Sequence, residues 1–217
     1  FFFRSVRYSE DIDLDVHTMA APTLQKNVTQ ILAASAFLRN LEVHRLSITG
    51  VSAAKQTTTT QRWKIHLRAG DEPTDILTKI EFSRRSAADE AIFEPVDNAL
   101  IQTYKLYPIF TRHYAVEAAF RQKVSALALR NETQARDVFD LKLLVDAGAG
   151  SQPLPPDVSA HLEQAIHNAQ AMSYDAFSGQ VVAYLLPEYQ DDYRPKKTWE
   201  NLQAEVVRKL EGLHERH

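Results

Sequence analysis

The sequence predicts an α+β protein, with a mixed sheet in its first part and a helical region after it. Three observations predict this. Period-two alternation is confined to residues 8–82, apolar residues recur at helical spacing from residue 114 onward, and the stretches between are polar and turn-prone. With 217 residues, 44% of them hydrophobic and 24% charged, the chain can bury a core without disulfide or metal staples. Its 6 glycines and 9 prolines argue against extended disorder.

Residues 8–16, YSEDIDLDV, alternate acid and aliphatic from Asp11 onward, which is the period of a half-buried strand and puts Asp11, Asp13 and Asp15 on one face. Thr23 can cap a helix reaching about Leu38, with Leu24, Val28, Ile31 and Leu32 as its apolar stripe. Strands are expected at residues 46–51, 62–67 and 76–82, separated by polar turns at 57–60 and 70–73. No strand is expected later, and a boundary near residue 87 divides an α/β core over 1–87 from a helical domain over 88–217. A helix at 114–130 presents Val116, Phe120, Val124 and Leu127, and one at 133–145 presents Val138, Leu141 and Val145, so the two form a pair. Residues 147–156 hold two Gly and three Pro and read as a connector, followed by helices near 158–172, 176–186 and 199–213. Trp63, Trp199 and the tyrosines at 104, 107, 174 and 184 recur at core-like spacings and are read as packing residues.

Composition removes several classes of function. There are no cysteines, which excludes a thiol nucleophile, an iron–sulfur cluster and a cysteine-liganded zinc site, and suits a reducing compartment such as the cytoplasm. No run approaches the roughly 18 apolar residues of a membrane span. The net charge of −3 is unevenly shared: residues 1–87 carry 12 Lys/Arg against 9 Asp/Glu and residues 88–217 carry 13 against 19, so the first part is the better anion binder. Phosphate-loop, dinucleotide-binding, nucleophile-elbow and His-Glu-x-x-His signatures are all missing from the sequence.

The strongest local signal is SEDIDLD at residues 9–15. Carboxylates at alternate strand positions repel one another unless a cation sits between them, and Mg²⁺ prefers one or two carboxylates with phosphate oxygens as further ligands. An Asp-x-Asp pair at a strand end therefore suits metal-assisted phosphoryl-type chemistry, although a solvent-facing acidic edge strand has the same pattern. In KIEF, residues 79–82, Lys79 and Glu81 share a face. Glu81 could join a metal cluster or accept a proton from an attacking hydroxyl, or it could simply pair with Lys79. Lys123 and Arg130 lie on one helix face and the next helix opens with Arg136-Asp137-Val138-Phe139-Asp140-Leu141. Such cations can meet a triphosphate, with Asp137 or Asp140 holding one in position, or they can form an interhelical network with an Arg136–Asp140 pair.

Together RYSEDIDLD, KIEF, the E-x5-K-x2-A-L-x2-R helix (Glu117, Lys123, Ala126, Leu127, Arg130) and R-D-x-F-D-L resemble the nucleotidyltransferase toxins of the AbiEii/AbiGii family. These belong to type IV-like toxin–antitoxin and abortive-infection systems, with MenT-type tRNA-modifying toxins as relatives; the likeness spans residues 7–145. The resemblance implies a DNA-polymerase-β-like nucleotidyltransferase fold. It implies that Asp11, Asp13 and Glu81 hold metal, that Lys123 and Asp137 complete the catalytic set, and that Arg7, Ser9, Lys79, Lys123, Arg130 and Arg136 bind nucleotide. Mg²⁺ or Mn²⁺ would be the cofactor, an NTP the substrate, a tRNA 3′ end the acceptor and a cognate antitoxin the partner. The family has a Gly-Ser or Gly-Gly turn and a helix before the acid strand where only FFFRSV stands here, so the chain is expected to continue upstream. The alternative to an enzyme is a catalytically inactive nucleotidyltransferase-like interaction module.

Overall fold

A computed structural model describes residues 2, 3, 5–84 and 91–216. Two compact units emerge, Ser9–Ala87 and a second built from Phe1–Tyr8 with Ala88–His217. The boundary expected near residue 87 lies outside the described residues.

The first unit runs β1 (Asp11–Asp15), α1 (Ala21–Leu32), α2 (Ser35–Val43), β2 (Leu46–Gln56), β3 (Thr60–Ala69) and β4 (Ile76–Ser83). The sheet order is β1-β4-β3-β2, with β1 parallel to β4 and the other pairs antiparallel. A parallel pair needs a long crossover, and the two helices and two strands between β1 and β4 supply it. Pro22, at the start of α1, suits the first turn, where its missing N–H is not needed. Leu24, Val28 and Leu32 then recur every fourth residue and are buried against Trp63 and Ile65 of β3. The single helix expected to about Leu38 is instead two, because Ala34 adopts an extended backbone (ψ 129°) and starts a new helix whose Phe37 packs on the same cluster. Trp63 meets Phe82 edge-to-face with centroids 5.8 Å apart.

In the second unit β5 (Ala91–Pro95) and β6 (Phe110–Tyr114) form an antiparallel ribbon with α3 (Asn98–Thr103) between them in the chain. This corrects the expectation of no strand beyond residue 87. Every residue of β5 is exposed, so the ribbon carries none of the buried alternation by which strands are recognised. Then follow α4 (Val116–Leu129), α5 (Ala135–Asp146), α6 (Pro156–Ser159), α7 (Leu162–Ala171), α8 (Tyr174–Gln180), a 3₁₀ turn, α9 (Pro187–Tyr193) and α10 (Lys196–His214). Phe120, Val124 and Leu127 of α4 and Val138, Phe139 and Leu141 of α5 share one core with α7 and α10. Phe177 stacks on Trp199 at 4.6 Å within it. Trp63 and Trp199 are buried as expected, whereas Tyr107 is 80% exposed and Tyr104 and Tyr184 are also on the surface.

Phe3, Val6 and Tyr8, expected with the sheet, pair with the helical unit. The Tyr8 N–H donates to the Tyr184 carbonyl (2.8 Å) and the Leu186 N–H to the Val6 carbonyl (2.9 Å), while Phe3 and Val6 pack on the helical core. The sheet unit is thus inserted in sequence into the helical one.

Glu117, buried in the first turn of α4, organises the connector after α5. It accepts hydrogen bonds from the Gly150 N–H, the Ser151 N–H and the Ser151 hydroxyl at 2.8 to 3.1 Å. Gly150 has φ +74°, a backbone conformation that favours glycine, and a Cβ there would lie 2.6 Å from Lys209 Cε, so a side chain would also have to displace the end of that lysine. Burial opposes ionisation of Glu117, but the hydrogen bonds from Gly150, Ser151 and Gln152 outweigh it and hold its carboxyl below the usual glutamate range. A depressed carboxyl pKa contributes stability that is present above the unfolded value, 4.5, and is lost as pH falls below it through the folded value. We expect Glu117→Gln to cost about 1.5–3 kcal/mol at neutral pH and to flatten the acid limb of stability below about pH 4.5, measured by urea unfolding across pH.

Candidate functional site

The residues singled out in the sequence fall into two groups, one on each unit. On the sheet, β1 and β4 pair in parallel with Asp11 beside Lys79 and Asp13 beside Glu81. Directly opposed residues project to the same side, so all four share one face, and Ile80 and Phe82 turn to the other, where α1 packs. The Thr78 hydroxyl donates to the Glu10 carbonyl, the Val16 N–H to the Ser83 carbonyl, and the Ser9 hydroxyl to the Asp11 carbonyl, securing both ends of β1.

The Lys79–Glu81 pair that the sequence left open as an alternative does not form. Lys79 Nζ lies 2.9 Å from Asp11 Oδ2, and Glu81 is taken by Arg62 of the neighbouring strand β3. Adjacent strands bring these charges within reach, whereas residues two apart on one strand are separated by a full pleat repeat. Both Arg62 nitrogens, Nε and a terminal nitrogen, reach the same oxygen, Oε2, and leave Oε1 open. Asp13 is exposed and has no ion-pair or hydrogen-bond partner among the described residues. Arg62 went unrecognised in the sequence: the alternating run Arg62, Lys64, His66, Arg68 places it on one face of β3 but carries no sign that this face lies beside Glu81.

Among the described residues no three His, Asp or Glu side chains converge into a ready metal cage. The donor set nonetheless suits a divalent ion that keeps substrate oxygens and water in its shell: Asp11 and Asp13 are oxygen donors at alternate positions on one open face, one of them unpartnered.

On the helical unit, Lys123 and Arg130 of the α4 end meet the start of α5. Lys123 Nζ lies 3.1 Å from Asp137 Oδ1 and 2.6 Å from Asp140 Oδ2, and Arg130 Nε lies 3.1 Å from Asp137 Oδ2. Asp137 is fully buried, and its Oδ2 contact with Arg130 lacks hydrogen-bond geometry, so that oxygen is compensated by charge alone. Arg7 reaches Asp140 at 3.9 Å, and its Nε is buried without a hydrogen-bond partner. The Arg136–Asp140 pair allowed by their spacing is not formed: Asp140 is committed to Lys123 and Arg7, and Arg136 is left half-buried without an ion-pair partner among the described residues.

The first unit is a mixed sheet with alternating acids on one face, and the second is largely helical. Residues 1–212 match the family model of the nucleotidyl transferase AbiEii toxin of type IV toxin–antitoxin systems, and the chain belongs to that family. Two solved structures from Helicobacter pylori share the fold. One is JHP933, with a TM-score of 0.59 and 19% identity over 97% of this chain and 77% of that one. The other is described as a candidate nucleotidyltransferase, with a TM-score of 0.60 and 18% identity over 97% of this chain and 80% of that one. No curated protein matches the sequence. Among the described residues no helix is long and apolar enough to cross a membrane.

Asp137 and Asp13 separate structural from chemical demands. Asp137→Ala removes the α5 carboxylate that both Lys123 and Arg130 reach from α4, leaving Arg130 without its ion pair and Lys123 with Asp140 alone; the two cations are about one-third exposed, and the change should cost about 1–3 kcal/mol. Asp13→Ala removes an exposed, unpartnered carboxylate and should change stability by no more than about 0.5 kcal/mol. Chemical denaturation of both variants checks the contrast.

Proposed function

We propose that this toxin moves a nucleoside monophosphate from an NTP to a hydroxyl at a tRNA 3′ end, with Mg²⁺ or Mn²⁺ as cofactor, arresting growth until a cognate antitoxin encoded nearby counters it. The observation that carries the reading is the alternation of Asp11 and Asp13 on one open face of β1 with Glu81 beside Asp13. In the reaction the acceptor oxygen attacks the α-phosphorus, the bond from the α-phosphorus to the bridging oxygen breaks, and pyrophosphate leaves. The hydroxyl proton passes to Glu81 Oε1 or to solvent.

Asp11 and Asp13 would hold the divalent ion, with Glu81 as a third ligand or base; such an ion supplies Lewis acidity at the phosphoryl oxygens. Lys79 balances the carboxylates in its absence and is free to turn toward phosphate when Asp11 is ligated. Ser9 fixes the turn into the acid strand. In the helical unit Asp137 positions Lys123 and Arg130, Arg7 is drawn in through Asp140, and Arg136 is the cation with least to give up on meeting an anionic phosphate. One observation favours a non-catalytic interaction module instead: Asp11 and Glu81 are already neutralised by Lys79 and Arg62.

Incubating the full gene product with each α-labelled NTP, Mg²⁺ and total tRNA separates the two readings. We expect one nucleotide to label tRNA, and Asp11→Ala/Asp13→Ala to lower the labelling rate about a thousandfold, corresponding to several kcal/mol of lost charge stabilisation. A protein that is folded, binds no NTP and labels nothing would be the interaction module.

A further inference from the structure

We propose that the open sheet face on the β3 and β2 side of Glu81 binds the phosphodiester backbone of an RNA acceptor, with Lys55 and Lys64 as its phosphate contacts. The proposal rests on the transferase reading above and assigns the acceptor its place. Because the order is β1-β4-β3-β2, Glu81 has the Asp11–Asp13 strand on one side and β3 on the other. An acceptor hydroxyl aimed at Glu81 Oε1, with the nucleotide phosphates over β1, arrives from the β3 side.

That side is built from cations. Alternation puts Arg62, Lys64, His66 and Arg68 of β3 on the face they share with Glu81. Arg62 and Arg68 are neutralised, by Glu81 and by Asp75 at 2.9 Å, but Lys64 and Lys55 have no acidic partner among the described residues. Cross-strand register adds a second anomaly. Lys64 lies directly opposite Lys79, and Lys55 directly opposite Arg62. Like charges in directly opposed positions are destabilising, and Lys79 and Arg62 escape toward Asp11 and Glu81 while Lys64 and Lys55 remain exposed and unpaired. Gly50 opposite His66 and Ser52 opposite Lys64 place small side chains along the β2 border of the row. Two uncompensated lysines, Lys64 on the strand next to Glu81 and Lys55 one strand further, suit a polyanion carrying a terminal hydroxyl; a small neutral acceptor would need neither.

Binding of fluorescein-labelled total tRNA, measured by anisotropy across a salt series, tests this. The double variant Lys55→Ala/Lys64→Ala should bind at least about tenfold more weakly, and its log–log salt slope should flatten by about 1.4–1.8, because each lost phosphate contact removes about 0.7 for single-stranded or about 0.9 for duplex nucleic acid. Lys55→Arg/Lys64→Arg should retain affinity and slope. Wild-type affinity and slope in the alanine variant, with an unchanged melting temperature, would overturn the inference; if that variant melts early, Lys64→Gln is read in its place. Binding of a fluorescent NTP is measured alongside. Should NTP bind and label a protein while tRNA neither binds nor is labelled, the transferase stands and the RNA face falls. Should no NTP bind or label anything, the transferase reading falls, and the tRNA titration still decides whether the lysine face binds RNA.

Discussion

The parallel pairing of Asp11–Asp15 with Ile76–Ser83 is the constraint on which the chemistry-bearing face depends. Side chains alternate with a period of two, so a one-residue slip would replace Asp11 and Asp13 by Ile12 and Leu14 on that face. The hydrogen bonds from Thr78 to Glu10 and from Val16 to Ser83 hold both ends of β1 in this register. Ile80 and Phe82 are drawn toward the cluster formed by α1, Trp63 and Ile65, which turns Lys79 and Glu81 the other way, to the side of Asp11 and Asp13. Burial of apolar surface on one side of the sheet thus decides which charges stand open on the other.

The two units treat charge differently. The pairs on the sheet face are partly solvated, and such pairs contribute about 0–1 kcal/mol, so exchanging Lys79 or Arg62 for another cation costs little. Asp137 is wholly buried between helices, where an unpaired carboxylate is expensive, and its cations are held to it. The first arrangement is suited to ligand exchange and the second to holding side chains in place.

Much of the sheet was legible because its alternation is local. SEDIDLD, KIEF and the β3 run each declare their faces within a few residues, and the family resemblance followed from their order. Three things were not legible. The partner of Glu81 depends on strand order, and no local pattern shows that Arg62 rather than Lys79 is its neighbour. The β5–β6 ribbon buries no alternate residue and so left no periodic signal. The choice of Asp140 between Arg136 and Lys123 is made by helix packing, which overrode a spacing favourable to the nearer partner.

The pairing of Val6–Tyr8 with Tyr184–Leu186 has a consequence for biosynthesis. Ribosomes deliver about 5–20 residues per second, so Val6–Tyr8 wait roughly 10–35 s before the stretch they bind has even been made. In that interval the inserted sheet unit is complete in sequence and can close on its own core. The helical unit cannot: its final assembly must recapture a segment separated from it in sequence by the sheet unit. The order of maturation is therefore written into the chain, with the acid-bearing sheet first and the helical unit last.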